Sequence, residues 1–379
     1  MNPSHVTFQA SAAPARETIA TMRAEDAGAF AELVEPYRRE LLVHCYRMLA
    51  SYEDAQDLVQ ETFLRAWRRR ETFEGRASLR AWLYRIATNA CLDFLDRRPE
   101  RTHLSLPDDA RQGEVPWLQP APDRLLAATP DQHEPGAVAV TRETIELAFL
   151  VAVQHLPPRQ RAVLILRDVL GWPAVDAASL LETTVASANS ALQRARTTMR
   201  AHLPAARMDW TSTAKPSRQE QVLVQRYMQA TDQSDVDALR VLFHEELRFA
   251  MPPEPGLWIG RDACVQAWVD GGFGSPEFGE FRTRDTSANL QPAVANYVRQ
   301  PGDSHFRLFA IDVLAIRDGL ITEVIAFGGD ALEPFDLSRI FDEVAPDVSA
   351  PHARDYSMSM SRAYGPTARA DTDAEGGNE

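Results

Sequence analysis

The segment DAQDLVQETFLRAW, from Asp54 to Trp67, restricts the folds open to this chain more than any other. It contains no glycine or proline and is rich in good helix formers, so it predicts a helix. Its small and apolar residues recur on one face, which is the pattern of a buried stripe. Asp54, Asp57 and Glu61 fall together on the opposite face, at spacings i, i+3 and i+7.

Two leucines, Leu58 and Leu64, flank this acidic face. Like charges on one helix face repel each other, so the stability of an isolated helix does not account for the pattern. A solvated surface is the ordinary interpretation of an acidic helix face. Carboxylates framed by exposed leucines favour a second interpretation, a docking surface for a basic partner.

The composition is that of a globular protein, with 45% hydrophobic and 25% charged residues, and 379 residues are enough for two or three domains. No apolar run reaches about 18 residues and the N-terminus lacks a hydrophobic signal region, so neither a membrane span nor secretion is expected. Cys45, Cys91 and Cys264 are widely separated and show no metal-binding spacing. They favour free thiols in the cytoplasm, and neither a metal nor a cofactor is expected.

The net charge of −14 is unevenly distributed along the chain. Residues 36–98 carry 12 arginines and 9 acids, and residues 157–207 carry 7 arginines and 3 acids. The balance reverses in residues 217–330, with 10 arginines and 17 acids, and in residues 331–379, with 4 arginines and 10 acids. This asymmetry favours a DNA-binding N-terminal half joined to an acidic C-terminal half.

Helical periodicity, strand-like alternation and polar linkers divide the chain into seven segments. We expect a flexible N-terminus (1–26), a helical domain (27–98), a linker (99–136), a second helical domain (137–203), a shorter linker (204–216), an α+β domain (217–335) and a polar, largely disordered tail (336–379). In the α+β domain the runs ELRFAM, VANYVR, HFRLFAIDVLAI and GLITEVIAF alternate as strands do. Arg317-Asp318-Gly319 marks a hairpin turn between the last two runs.

The second helical domain has the pattern of a helix-turn-helix. Helices are predicted over about residues 158–170 and 174–181, and a third helix follows with Ser187 as its N-cap. The third helix carries polar side chains that suit contacts with bases and phosphates. These candidate residues are Ser187, Asn189, Ser190, Gln193, Arg194 and Arg196. A plain helical hairpin with a solvated face remains the alternative.

The two helical domains together resemble a bacterial sigma-70 family RNA polymerase sigma factor of the extracytoplasmic-function (ECF) class. The stretch YRRELLVHCYRMLASYEDAQDLVQETFLRAW is similar to region two of that family. LPPRQRAVLILRDVLGW and the helix-turn-helix after it are similar to region four, which reads the distal promoter element. In the family the acidic helix docks on the basic clamp helices of the polymerase β′ subunit. The resemblance therefore implies a core-polymerase site formed by Asp54, Asp57, Leu58, Gln60 and Glu61.

The stretch FEGRASLRAWLYRIATNACLDFLDRR resembles the part of region two that melts DNA and reads the proximal promoter element. The residues implied are Phe73, Glu74, Gly75, Arg76, Arg80, Trp82 and Arg85. Together with Tyr84 they supply the aromatic and cationic side chains that hold an unpaired strand, although Phe73 and Trp82 could instead be core residues. The sequence departs from the family pattern in the turn of the helix-turn-helix, where Glu182 stands in place of the usual glycine.

Residues 217–335 resemble the SnoaL-like branch of the nuclear-transport-factor-two-like (NTF2-like) fold. The resemblance is carried by LVQRYMQATDQSDVDALRVLF, QPAVANYVR and FAIDVLAIRDGLITEVIAFGG. It implies a curved sheet and helices that form a cone-shaped barrel with a pocket, and some relatives use a pocket Asp or His as acid or base. The candidate pocket residues are Met251, Trp258, His305 and Asp312.

The fold class expected is therefore multidomain, with two all-α sigma domains followed by an α+β SnoaL-like domain. We expect a promoter-specificity subunit that catalyses no reaction and whose partners are core RNA polymerase and promoter DNA. The C-terminal domain would regulate it in cis, in response to a small molecule or a protein regulator, for example by folding back on the basic segments. Two alternatives stay open: a cyclase- or isomerase-type enzyme fused to a DNA-binding leader, and a helix-turn-helix regulator that does not bind polymerase.

Overall fold

The computed structural model describes residues 26–75, 77–101, 115–126, 146–202, 217–254 and 256–341. The chain forms two compact units, one of residues 1–215 with 288–290, the other of residues 216–287 and 291–379. Residues 1–25, most of both predicted linkers, Arg76 and the acidic tail beyond residue 341 lie outside the described residues. Among the described helices, none has the length and apolar character needed to cross a membrane.

Three of the four helices of the first predicted helical domain begin at side-chain caps, those of Asp26, Ser51 and Ser78. Its helices are α1 (Ala27–Val34), α2 (Arg38–Leu49), α3 (Tyr52–Arg68) and α4 (Leu79–Asp96), with 3-10 turns at Glu35–Tyr37, Arg70–Thr72 and Pro99–Arg101. The Ser51 hydroxyl accepts a hydrogen bond from the Asp54 amide at 3.3 Å, and Ser78 accepts one from the Ala81 amide at 3.1 Å. These caps satisfy backbone donors that would otherwise be unpaired at a helix start, and the predicted cap at Ser78 is confirmed.

The helix-turn-helix is present in the second helical segment. A short helix α5 (Asp123–Leu126) precedes α6 (Leu147–Gln154), α7 (Pro158–Leu164), α8 (Ala174–Leu180) and α9 (Val185–His202). The predicted first helix continues beyond α7 only as a π-helical turn, Ile165–Val169. The predicted cap at Ser187 is wrong, because α9 begins at Val185 and the Thr184 hydroxyl accepts from the Ser187 amide at 3.1 Å. Glu182, which stands where the family has glycine, adopts a left-handed conformation with φ 52°.

The second unit begins with helices α10 (Arg218–Asp232) and α11 (Val236–Leu242), and α12 (Arg261–Asp270) follows between strands. Its strands are β1 (Phe243–Ala250), β2 (Leu257–Ile259), β3 (Glu280–Ala288), β4 (Gln291–Arg299), β5 (Arg307–Arg317) and β6 (Leu320–Gly328), and a 3-10 turn covers Gly329–Phe335. They form one sheet in the order β2-β1-β6-β5-β4-β3, in which β1 and β6 are parallel. Helices and sheet bury one continuous apolar core.

The hairpin predicted at Arg317-Asp318-Gly319 joins β5 to β6, with Arg317 paired to Leu320. Asp318 and Gly319 both have positive φ, 50° and 77°, as the tight two-residue turns of hairpins require. The described sheet is open rather than closed into the predicted barrel. Strands β2 and β3 and helix α12 were not predicted. Along most of β3 charged residues alternate with its inward side chains, which weakens the apolar signal.

Candidate functional site

The acidic face of α3 is present but narrower than predicted. Asp57 and Gln60 are exposed. Asp54 is only 15% exposed and is ion-paired with Arg101, while the Glu61 carboxylate meets the Arg65 guanidinium at 2.8 Å. The freely available carboxylate on this face is therefore that of Asp57.

The prediction that Leu58 flanks the acidic face as an exposed side chain is wrong, since it is 8% exposed. Helix α3 packs against both α2 and α4, and this widens its buried stripe until it includes Leu58. Leu64 is 51% exposed, as predicted. The surface that α3 offers to a partner thus combines Asp57, Gln60 and Leu64 with the paired Glu61.

The predicted proximal-element residues are divided between core and surface. Phe73 is 4% exposed and packs against Trp82 with ring centroids 5.4 Å apart, so its assignment to a strand-holding surface is wrong. Tyr84 is likewise buried. Both rings fill space between α4 and its neighbours. Burying their apolar surface stabilises the fold, and the buried rings are not accessible to a ligand.

The polar members of this group differ in how far they are exposed and in whether they are ion-paired. Arg80 is held by Glu40 at 2.7 Å, and Arg85 is exposed and ion-paired with Glu182. Glu74 is exposed, and Gly75 has φ 70°, a left-handed conformation that favours glycine in this turn. Arg76 lies outside the described residues.

One face of α9 presents most of the predicted base-reading residues to solvent. Four small or apolar residues at spacings of three or four face inward and are buried: Ala188, Leu192, Ala195 and Met199. The exposed polar residues are Ser187, Asn189, Ser190, Gln193 and Arg194. Because each of them can donate or accept a hydrogen bond, this face suits contact with base edges and phosphates.

The prediction that Arg196 belongs to this face is wrong. Its guanidinium makes two hydrogen bonds to the Asp168 carboxylate, at 2.8 and 2.7 Å. The pair raises the pKa of Arg196 and anchors α9 to the preceding π-helical turn. Arg196 follows the buried Leu192 by four residues and so lies at the edge of the buried face, which explains why its side chain is directed toward Asp168 of the same unit.

Buried arginines reduce the positive charge that the sequence assigns to the surface. Arg161 is fully buried, and its guanidinium donates to the carbonyls of Gln154 at 3.0 Å and Leu156 at 3.2 Å. Burial lowers the pKa of Arg161 to about 9, and burial also lowers that of Arg47, to about 10. These two side chains lie in the interior of the unit, so the number of arginines at its surface is smaller than the sequence count.

The second unit contains an aromatic cavity with a buried carboxyl group. The space between its lining residues, together with its open mouth, is about 470 Å³. Its lining residues are Tyr227, Thr231, Leu239, Phe249, Met251, Trp268, Phe273, Phe281, Asn296, Phe309, Ala310, Asp312 and Ala326. Asp312 Oδ2 accepts hydrogen bonds from the Tyr227 hydroxyl at 2.8 Å and the Asn296 amide at 2.6 Å.

Two of the four predicted pocket residues, Met251 and Asp312, line this cavity. The assignment of His305 to the pocket is wrong, because it lies exposed in the turn before β5. Trp258 is not among the lining residues and instead packs on Phe249 with ring centroids 5.4 Å apart. The position of Trp258 follows from the register of β2, which pairs it with Phe249, and that of His305 from its place in a turn outside the strands.

Comparisons with known proteins match three segments of the chain to known domains. Residues 33–100 match Sigma-70 region 2, residues 146–199 match Sigma-70 region 4, and residues 224–324 match the SnoaL-like domain. The chain is 43% identical over 321 residues to the ECF RNA polymerase sigma factor SigG of Mycobacterium tuberculosis, covering 82% of this chain and 84% of SigG. This chain belongs to the ECF RNA polymerase sigma factors.

More distant ECF sigma factors match smaller parts of the chain or the fold alone. SigW of Bacillus subtilis is 27% identical over 191 residues, which cover 50% of this chain and 96% of SigW. The crystal structure of Mycobacterium tuberculosis SigJ aligns with 80% of this chain and 98% of its own, at 23% identity and a TM-score of 0.50. The matches confirm helical sigma domains followed by a SnoaL-like α+β domain in this sigma factor.

Sequence reasoning did not find Tyr227 or Asn296, the two donors to Asp312. Tyr227 sits within an ordinary amphipathic helix, α10, and Asn296 within the apolar strand β4. The register pairs Val294 with Asp312 and so brings Asn296 near the carboxyl group. The one available signal in the sequence was the polar amide of Asn296 inside an otherwise apolar strand, which indicates a buried hydrogen-bond partner. Among the described residues, no cluster of His, Cys, Asp and Glu could hold a metal ion.

The free energy of unfolding of the C-terminal unit is expected to fall with rising pH because of Asp312. Burial raises the pKa of Asp312 from 3.8 to about 6, although both of its hydrogen bonds lower it. The folded state therefore binds this proton more tightly than the unfolded chain. The stabilisation is complete below the unfolded pKa of 3.8 and is lost as the pH rises through about 6.

Asp312→Asn cannot ionise, so its stability relative to wild type should increase by about 2 kcal/mol between about pH 4.5 and about pH 8. Urea unfolding of both proteins at the two pH values measures this difference. Asp285→Asn, the same change at an exposed position of β3, is the control for the loss of a carboxylate. A stability difference for Asp312→Asn that does not change with pH would contradict the assignment.

Proposed function

We propose that this sigma factor binds the β′ clamp helices of core RNA polymerase through α3 and reads the distal promoter element through α9. The observation that carries the proposal is the row of exposed polar side chains on α9, opposite an inward face of small and apolar residues. The exposed Asp57 and Leu64, two turns apart on the same face of α3, support the polymerase contact. Acting with polymerase on promoter DNA, the protein would work in the cytoplasm.

The proximal promoter element would be contacted by Glu74, Gly75 and Arg85, which remain at the surface. Half-buried Trp82 would contribute the edge of its ring. Arg85 is ion-paired with Glu182, so DNA binding at this site would exchange that carboxylate for phosphate. Exposed ion pairs contribute little stability, and the exchange would therefore cost little.

The proposal is tested by reconstitution with core polymerase. The full chain and core enzyme should together give promoter-dependent transcripts from sites selected by genomic binding, and neither should do so alone. Absence of a promoter-dependent transcript, with co-migration of the two proteins also lost, would contradict the polymerase role and favour a regulator that binds only DNA.

An enzymatic role for the C-terminal unit is not supported by a paired acid and base. Asp312 is the only carboxyl group among the cavity-lining residues, and its neighbours Tyr227 and Asn296 both donate to it. General acid–base catalysis on a substrate needs a positioned partner for the proton that is moved. We therefore propose that the unit regulates rather than catalyses.

Deleting the residues after 216 is expected to raise binding to promoter DNA if the acidic C-terminal half acts in cis. Residues 217–330 carry 10 arginines and 17 acids, and a negative domain on the same chain competes with phosphate for arginine side chains. The expected gain is about 5-fold or more at low salt and smaller at high salt, because added ions screen the competition. Fluorescence anisotropy with a labelled promoter fragment measures it, and equal affinities of both chains at every salt concentration would contradict electrostatic inhibition.

A further inference from the structure

We propose that the cavity of the C-terminal unit binds a small organic ammonium ion. Its N–H groups would donate to Asp312 and Asn296, and its apolar body would lie against the aromatic wall. The inference concerns this unit alone and does not depend on the proposed promoter contacts.

The polar floor of the cavity offers two kinds of acceptor, the Asp312 carboxylate and the Asn296 amide oxygen. The Tyr227 hydroxyl and the Asn296 amide NH₂ both donate to the same oxygen, Asp312 Oδ2. The amide oxygen of Asn296 is buried and has no hydrogen-bond partner in the described structure. Leaving a buried acceptor unsatisfied costs free energy, so a ligand that fits here must bring donors.

The charge of the floor points to a cationic donor. Asp312 is 8% exposed, and no arginine, lysine or histidine is among the residues that line the cavity. A carboxylate buried without a cation is unfavourable, and a bound ammonium would compensate it. Burial raises the pKa of Asp312 only to about 6, so near neutral pH the group is mostly ionised and able to attract a cation.

The walls suit the same class of ligand. Phe249, Trp268 and Phe273 belong to the lining, and Trp268 meets Phe249 edge-to-face with centroids 5.1 Å apart. Aromatic faces attract cations through their quadrupole, and their apolar area binds a hydrocarbon body. Because the 470 Å³ includes the open mouth, the enclosed part of the cavity is smaller and favours a single-ring amine over a large ligand.

Isothermal titration of the full chain with benzylammonium chloride and with benzyl alcohol tests the proposal near neutral pH. The two probes share one apolar body, and only the first carries positive charge. Benzylammonium should bind at least about 10-fold more tightly than benzyl alcohol, a difference of about 1.4 kcal/mol. Because this comparison uses the wild-type chain, it does not depend on any variant folding.

Variants then locate the site. Asp312→Asn should weaken benzylammonium binding by about 10-fold or more and reduce the preference over benzyl alcohol. Asp285→Asn, exposed on β3 of the same unit, should leave both affinities unchanged. Equal binding of the two probes, tighter binding of the alcohol, no binding of either, or ammonium binding that Asp312→Asn does not weaken would each overturn the proposal.

Discussion

Replacing Asp57 with arginine is expected to weaken binding to core RNA polymerase by about 10-fold or more. The Asp57 carboxylate is exposed on α3, and the clamp helices that this helix meets in the family are basic. An arginine there would place like charges against each other in the contact, which costs more than losing one favourable pair. Biolayer interferometry with immobilised core enzyme, at about 0.15 M salt, measures the change.

The matched control is Asp96→Arg. Asp96 is also exposed and belongs to the same helical domain, but it ends α4 and lies off the acidic face of α3. Its replacement changes the net charge by the same amount and should leave polymerase affinity nearly unchanged. Equal losses for both variants would show that overall charge, not the α3 surface, governs the contact, and no loss for Asp57→Arg would contradict docking through this face.

Replacing Arg194 with alanine is expected to weaken binding to a promoter fragment by about 5- to 150-fold, the equivalent of about 1–3 kcal/mol. Arg194 is exposed on α9 one turn after Ser190, where a guanidinium can bind a guanine edge or a phosphate. If it reads a base, the loss will be large on the native distal element and small on a mutated one. Electrophoretic mobility shifts with both fragments separate the two roles.

Arg196→Ala is the comparison on the same helix. Arg196 is committed to Asp168 and should not contact bases, so its loss is expected to leave promoter selectivity unchanged. The pair is partly exposed, and its removal should lower the free energy of unfolding by less than about 1 kcal/mol. If Arg196→Ala changed selectivity more than Arg194→Ala, the orientation assigned to α9 would be wrong.

Local patterns in the sequence were sufficient to predict both helical domains and most of the sheet. The cap at Ser78, the helix-turn-helix and the hairpin at Asp318-Gly319 depend on residues close together in the chain. Patterns of that kind are read over a few residues and are little affected by distant contacts. The family resemblance, carried by long stretches in a consistent order, is confirmed by the 43% identity to SigG.

Site residues were predicted less well wherever a distant partner competes for the side chain. Leu58 is buried because α3 has two packing neighbours, and Phe73 because Trp82 lies against it. Arg196 faces Asp168, which precedes it by 28 residues. In each case the residue type was suitable for the predicted role, but packing or an ion pair holds the side chain inside the unit or against another residue.

The amino-acid sequence alone determined the order of the domains, the helical character of the segments proposed to bind polymerase and DNA, and the sigma-factor family. Helix periodicity and capping arise from neighbouring residues, so these features can be read without coordinates. Only the tertiary structure decided which polar side chains remain free and that Asp312, Tyr227 and Asn296 meet in one cavity. In the sequence, Asn296 is 16 residues from Asp312 and Tyr227 is 85 residues from it. Only strand register and helix packing bring their side chains within hydrogen-bond distance of the Asp312 carboxylate.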